Sequence, residues 1–411
     1  MVKGVAITGM GIISSIGNSV EENYISLINN KIAITTIENI STVHADVIKV
    51  GEIKKTNAEL IAQLQLDEEN NFSRTALLGA IAAKEAVSNA GITSINEYKT
   101  GLISATSVGG MDMTEKYYYD YFDNPEIRKY IISHNCGDVA QKIADEIGLK
   151  GMVTTISTAC SSAANAIMLG ARLIKTGKLD RVVVGGTDAL AKFTINGFKT
   201  LMILSDGYNK PFDDERKGLN LGEAAAFLVL ESDEIVTKEN KKVLARVSGY
   251  GNANDTFHQT ASSENGDGAY LAMKKAFDVA ALNPNDIDYI NVHGTATPNN
   301  DLSEGRAILR VYKENPVPDF SSTKPFTGHT LAAAAAIEAV YSILAIQNNV
   351  VFPSLNFGSS ANFSRASAFV MSWWVVVGYG LIPFEIKRFS LSKRACLISS
   401  IEAIYRKSER D

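Results

Sequence analysis

The sequence predicts an α/β protein built from two similar halves. Three observations carry that expectation. Short apolar strand patterns alternate with helical ones along the chain, which argues for stacked α/β layers. A second round of similar elements begins near residue 245. The two Ala-rich helical stretches, 161–178 and 330–347, match in size and in their place within each round. The expected division is 1–245 and 246–411, with a divergent tail from about 360.

The first half opens on the strand pattern Val5-Ala6-Ile7-Thr8, followed by Gly9-Met10-Gly11, which reads as a tight turn. Residues 73–90 read as a helix ended by Asn89-Ala90-Gly91. Gly101–Thr106 reads as a strand leading into Val108-Gly109-Gly110. Residues 112–147, rich in Tyr, Asp and Asn, read as helices and loops. Residues 152–160 form a strand that breaks into the helix 161–178, whose small side chains suit burial. Val182-Val183-Val184 is a strand ending at Gly185-Gly186-Thr187. In the second half, 244–256 echoes the opening strand and turn, and 270–282 echoes the first helix. Tyr289–Val292 is a strand ending at His293, and Gly328-His329 opens the second Ala-rich helix.

Composition excludes several classes. The chain has 411 residues, of which 45% are apolar and 21% charged, an ordinary globular balance. Its net charge of −5 gives no reason to expect nucleic acid as a partner. Cys136, Cys160 and Cys396 are far apart, so neither a disulfide framework nor a structural zinc site is expected. The first residues lack the zones of a secretory signal, and a cytoplasmic location is the expectation. The Gly-rich turns fit neither GxGxxG nor a P-loop, and no HxxxH or HExxH spacing is present. Residues 366–384 carry no charge and are followed by basic residues. They fit either a short membrane span or core strands broken by Gly378, Gly380 and Pro383.

Cys160 stands at a predicted strand–helix junction. Backbone N–H groups and the helix dipole favour a thiolate there; the bland alternative is a buried apolar cysteine. His293 and His329 stand at similar junctions, each beside a glycine. Neutral imidazoles so placed can donate Nε2–H bonds to an oxygen that becomes negative. His293, Asp301 and His329 form a metal-ligand set by residue type alone. Lys324, five residues before His329, reads in isolation as a surface lysine.

The segments TACSSAANA (158–166), VHGTATPNND (292–301) and SSTKPFTGHTLAAAAAIE (321–338) resemble, in order, the signature regions of β-ketoacyl-[acyl-carrier-protein] synthases of the elongating type I/II group. GEAAAFLVLES (222–232) and HQTASSENG (258–266), which includes Thr260, are similar to further stretches of that family. The resemblance runs to about residue 357. It implies a thiolase-like duplicated fold with five αβαβα layers, usually a homodimer or a heterodimer with a second ketosynthase-like subunit. It implies Cys160 as nucleophile, His293 and His329 as its catalytic partners, and Lys324 as a supporting catalytic residue. Thr295 and Thr297 would bind the pantetheine arm of an acyl carrier protein. Val108 would wall the acyl pocket and Thr260 would join the substrate site. Glu338, Asp301 and Glu304 would be structural. No metal and no cofactor beyond the carrier-borne pantetheine are implied. The reaction implied is decarboxylative condensation of an acyl thioester with a malonyl thioester.

Two relatives of that reaction fit less well. A degradative thiolase needs a second cysteine in a Gly-containing context, which the RACLISS around Cys396 does not provide. A non-condensing chain-length-factor-like subunit usually lacks the cysteine that is present here. The tail departs from the family. Members close on a Gly- and Phe-rich loop that supplies an oxyanion-hole N–H, and no such loop follows Phe357. A shifted reading frame or a divergent tail would produce this ending.

Overall fold

The computed structural model describes residues 4–257 and 262–358, with the strands Trp373–Gly378 and Arg394–Cys396. Thr260 and most of the tail lie outside the described residues, as do 366–372 and 379–384 of the uncharged stretch. The described part of that stretch, Trp373–Gly378, is a β-strand paired with its neighbours in the sheet.

Among the described residues, ten strands form the large sheet. In chain order they are β1 (Val5–Ser14), β2 (Thr100–Ala105), β3 (Met152–Ile156), β4 (Arg181–Asp188) and β5 (Ala224–Ser232) in the first half. The second half supplies β6 (Ala245–Asn252), β7 (Tyr289–Asn291), β8 (Asp319–Ser321), β9 (Trp373–Gly378) and β10 (Arg394–Cys396). The spatial order is β8-β7-β10-β9-β6-β1-β5-β4-β2-β3. Each half joins a parallel trio, β3-β2-β4 or β8-β7-β10, to an antiparallel pair, β5-β1 or β9-β6. The halves meet where Ala6 and Ile7 pair with Arg246 and Ala245.

Five helices complete the layers. Helix α1 (Arg74–Asn89) covers the outer face of the first half, packing on β1, β5 and β4. Helix α3 (Asp267–Ala280) covers the second half, packing on β6 and β9 beside α4 (Pro298–Val311). Between the halves lie α2 (Ser162–Lys175) and α5 (Ala334–Asn348), in contact with each other and with strands of both. This is the thiolase-like five-layer arrangement. Burial decides which helices go inside. Along α5 almost every position is buried, from Ala334 through Ile346, as expected of a helix apolar on all sides.

The expected turn at Gly9-Met10-Gly11 is instead the middle of β1, which continues to Ser14 through a bulge between Ile7 and Gly9. These glycines serve packing. A methyl group on Gly9 or Gly11 would lie 2.3 Å from the carbonyl oxygen of Ala86 or 2.1 Å from that of Ala82, both on α1. The second half repeats the device: methyls on Gly249 and Gly251 would lie 2.3 Å and 2.0 Å from the carbonyls of Ala276 and Ala272 on α3. A Gly-x-Gly strand pressed on an Ala-xxx-Ala helix face is thus the shared signature of the two halves.

Two features go beyond the sequence expectations. Residues 224–232 form the central strand β5, buried throughout, and the polar run after His293 continues into α4. The halves also differ in one respect. In the first half the fourth strand lies beside β2 and the fifth beside β1. In the second, β9 lies beside β6 and β10 beside β7, so the chain fills the two slots in the reverse order.

Candidate active site

The turn carrying Cys160 leaves β3 and enters α2. Ala159, in the left-handed region at φ +54°, reverses the chain just before the cysteine. Side chains of α2 hold this turn. Thr158 N–H donates to Ser162 Oγ at 2.8 Å, Ser162 Oγ donates to the Ala159 carbonyl at 2.6 Å, and Asn165 Nδ2 donates to Thr158 Oγ1 at 2.9 Å. A non-glycine residue in this conformation persists because such bonds over-determine it.

His293 follows β7, and the carboxylate of Glu304 clamps its turn. The N–H groups of His293 and Gly294 each donate to one Glu304 oxygen at 3.1 Å. Asp301, one helical turn earlier on α4, holds the next stretch by accepting from Ala296 N–H at 3.1 Å and Phe212 N–H at 2.7 Å. Neither carboxylate is therefore free to join the histidines around a metal.

His329 sits after Gly328, whose φ of +77° and close approach to the Leu221 carbonyl admit only glycine. The backbone of His329 is pinned on both sides, its N–H to the Asn220 carbonyl at 2.7 Å and its carbonyl to Gly222 N–H at 2.9 Å.

The fold brings these residues together. The Cys160 sulfur and one ring nitrogen each of His293 and His329 lie within 4.8 Å of one another. The imidazoles are nearly perpendicular, with centroids 5.3 Å apart. Their tautomers follow from their partners. Leu331 N–H donates to His329 Nδ1 at 3.0 Å, and Lys324 Nζ, which has only hydrogens to give, lies 3.3 Å from His293 Nδ1. Both neutral rings must then carry their hydrogen on Nε2. In that state the Cys-His-His set presents donors rather than lone pairs, and it does not fit a bound zinc ion.

Lys324 is buried at 2% exposure, so its isolated reading as a surface lysine is wrong. Its Nζ pairs with the Glu338 carboxylate on α5. Thr295 and Thr297 share a hydroxyl–hydroxyl bond at 2.9 Å on the loop after His293. Val108 is half-buried on the loop after β2.

Burial dominates the electrostatics. It drives His329 down to about 3, with Lys324 adding to the effect, and His293 well below its ordinary value, with Lys324 and His329 adding. Both rings are neutral throughout the physiological range. The same burial pushes the Cys160 thiol up to about 11, although Lys324 pulls it down. This runs against the stabilised thiolate expected at the helix start: desolvation outweighs the pull of Lys324 and of the cysteine's own backbone N–H. The side chain still keeps partial access to the surface.

Asp188 was not among the expected site residues. It ends the apolar strand β4, fully buried, and accepts hydrogen bonds from the Val108 loop and from the turn after His329. An acid closing a Val-Val-Val strand was the available signal.

Comparison with known proteins identifies the family of the chain. Residues 3–235 match the family described as "Beta-ketoacyl synthase, N-terminal domain", and 244–358 match "Beta-ketoacyl synthase, C-terminal domain"; 359–411 lie outside both ranges. The chain is 32% identical over 367 residues to 3-oxoacyl-[acyl-carrier-protein] synthase 2 of Staphylococcus aureus (strain COL), covering 86% of this chain and 88% of that one. It is 34% identical over 385 residues to a putative mitochondrial 3-oxoacyl-[acyl-carrier-protein] synthase of Schizosaccharomyces pombe, covering 86% and 89%. Among solved structures it resembles the ishigamide ketosynthase/chain length factor, with a TM-score of 0.83 and 29% identity over 88% of this chain and 91% of that one. With one cysteine and two Nε2–H donors meeting between the matched halves, the chain belongs to the β-ketoacyl synthase family of condensing enzymes.

Proposed function

We propose that this chain is a 3-oxoacyl-[acyl-carrier-protein] synthase, an acyltransferase of fatty-acid or related polyene and polyketide synthesis. The observation that carries the reading is the meeting of the Cys160 thiol with two imidazoles whose Nδ1 atoms are both engaged. Cys160 attacks the carbonyl of a carrier-borne acyl thioester. The new S–C bond replaces the old one, and the thiol proton leaves with the carrier's thiol. A malonyl thioester then loses carbon dioxide, and the C–C bonding pair passes to the enolate. The Nε2–H groups of His293 and His329 stabilise its oxygen without charge of their own. The enolate carbon attacks the acyl-Cys160 carbonyl, the C–S bond breaks, and the departing thiolate takes a proton from solvent. Covalent capture divides one hard condensation into two easier steps.

Thr295 and Thr297 are read as contacts for the pantetheine arm, Val108 as a wall of the acyl pocket, and Thr260 as a further substrate residue. Lys324 is read as the group that holds the His293 tautomer. The partner is an acyl carrier protein. A homodimer or a heterodimer suits β3, an edge strand whose residues are exposed or half-exposed along its length. The enzyme is read as cytoplasmic, which cell fractionation tests.

The test is transfer of a radiolabelled acyl group from its carrier to purified protein, followed by condensation with a malonyl carrier. Cys160→Ala is expected to abolish covalent labelling; undiminished labelling would refute the assignment. A second reading, a chain-length-factor-like subunit, is favoured by the likeness to a ketosynthase/chain length factor and by the missing Gly/Phe loop. It predicts a stable complex with a separate ketosynthase and no labelling of Cys160.

A further inference from the structure

Asp188 joins two segments that are far apart in the chain. Its Oδ1 accepts from Thr106 Oγ1 at 2.5 Å, from Ser107 N–H at 3.1 Å and from Val108 N–H at 3.4 Å. Its Oδ2 accepts from Ser107 N–H at 3.0 Å and from Ala332 N–H at 2.9 Å. Oδ1 thus holds only the loop after β2, whereas Oδ2 bridges that loop and the turn that follows His329.

The turn after His329 depends on two successive N–H groups. That of Leu331 points at His329 Nδ1 and that of Ala332 at Asp188. Leu331 itself is in the left-handed region at φ +52°, a conformation that costs a branched residue energy. Anchoring Ala332 N–H fixes the rotation after the Leu331 Cα, and so helps to keep Leu331 N–H on the imidazole.

The geometry points to Asp188 as a positioning residue that couples the Thr106–Val108 loop to the orientation and tautomer of His329. The inference rests on the condensing-enzyme reading, in which Cys160 carries the acyl group, Val108 walls the pocket for its chain and His329 serves the malonyl step. An acyl chain on Cys160 that shifts Val108 pulls on the same carboxylate that steadies the His329 turn. Occupancy of the nucleophile is thereby transmitted to the decarboxylation site.

The test uses the full chain with Cys160 alkylated by iodoacetamide or by its N-decyl derivative, and measures carbon dioxide release from a malonyl carrier thioester. In the unsubstituted protein the two caps are expected to give rates that differ about fivefold or more. Asp188→Asn places an amide N–H₂ against either the loop or Ala332 N–H. It is expected to slow release about 10- to 100-fold, the scale of a misplaced catalytic group, and to bring the ratio between caps close to one. A merely structural role would slow release with both caps alike and leave the ratio unchanged. The inference is overturned if the ratio survives in Asp188→Asn, or if the unsubstituted protein shows none. Should that variant fail to fold, Thr106→Val decides: it cuts only the loop side and must also reduce the ratio. Absence of release with either cap in the unsubstituted protein overturns the condensing reading and this inference together, an outcome distinct from release at equal rates.

Discussion

Cys160 and Lys324 show how far a residue's behaviour departs from its type. The thiol is pushed up to about 11 by burial, against an ordinary value near 9. At neutral pH its thiolate fraction should be about a hundredfold lower than that of an ordinary thiol. Alkylation of Cys160 by iodoacetamide, followed by intact mass, is expected to be slow at pH 7.5 and to rise through pH 10. A rate that levels off below pH 8 would contradict the buried-thiol picture. Lys324 and Glu338 form a buried pair, with side chains 3% and 8% exposed. Lys324→Met strands the carboxylate and releases His293 Nδ1. The expected cost is about 3 kcal/mol of unfolding free energy, read from denaturant titration, together with loss of malonyl decarboxylation. Lys324→Arg, which keeps a cation near Glu338, should recover more stability than activity.

At the scale of elements, the glycines of β1 and β6 set how closely each sheet half meets its outer helix. A methyl at Gly251 would lie 2.0 Å from the Ala272 carbonyl, a backbone atom that cannot rotate away. Gly251→Ala is therefore expected to destabilise the protein by about 2 kcal/mol or more, in the range of overpacked cores. Gly11→Ala, with its methyl 2.1 Å from the Ala82 carbonyl, should cost a similar amount. Gly197→Ala, where a methyl meets nothing within 4 Å, is the control and should not move the midpoint comparably. The equivalence of the first two substitutions would be a direct measurement of the duplication.

At the scale of the whole molecule, the site lies where loops of both halves converge, and its stability carries a pH signature. His293 and His329 are held far below their ordinary value, whereas in the unfolded chain they titrate near 6.5. Below that pH the unfolded state binds protons that the native state refuses. Their contribution is fully present above pH 6.5 and is lost as pH falls, for His329 toward about 3 and for His293 in the same direction. Each histidine removes up to ~1.4 kcal/mol per pH unit in that window. Unfolding free energies at pH 7.5 and 5.5 should differ in this direction, and replacing both histidines with glutamine should flatten the difference.

The sequence by itself determined the α/β alternation, the duplication, and the three motifs that carry Cys160, His293 and His329. Strand and helix patterns are local, and a nucleophile or an imidazole is recognisable by type and by its place at a junction. The tertiary structure decided what depends on approach and dielectric. It placed Lys324 in the interior beside Glu338, turned Gly9 and Gly11 from a turn into a packing surface, and set Asp188 between two distant segments. It also fixed both histidine tautomers and reversed the expected protonation of Cys160. Apart from the His329 tautomer, which Leu331 N–H two residues on helps to set, these depend on groups that other elements bring close or on the exclusion of water, and neither is written in local sequence.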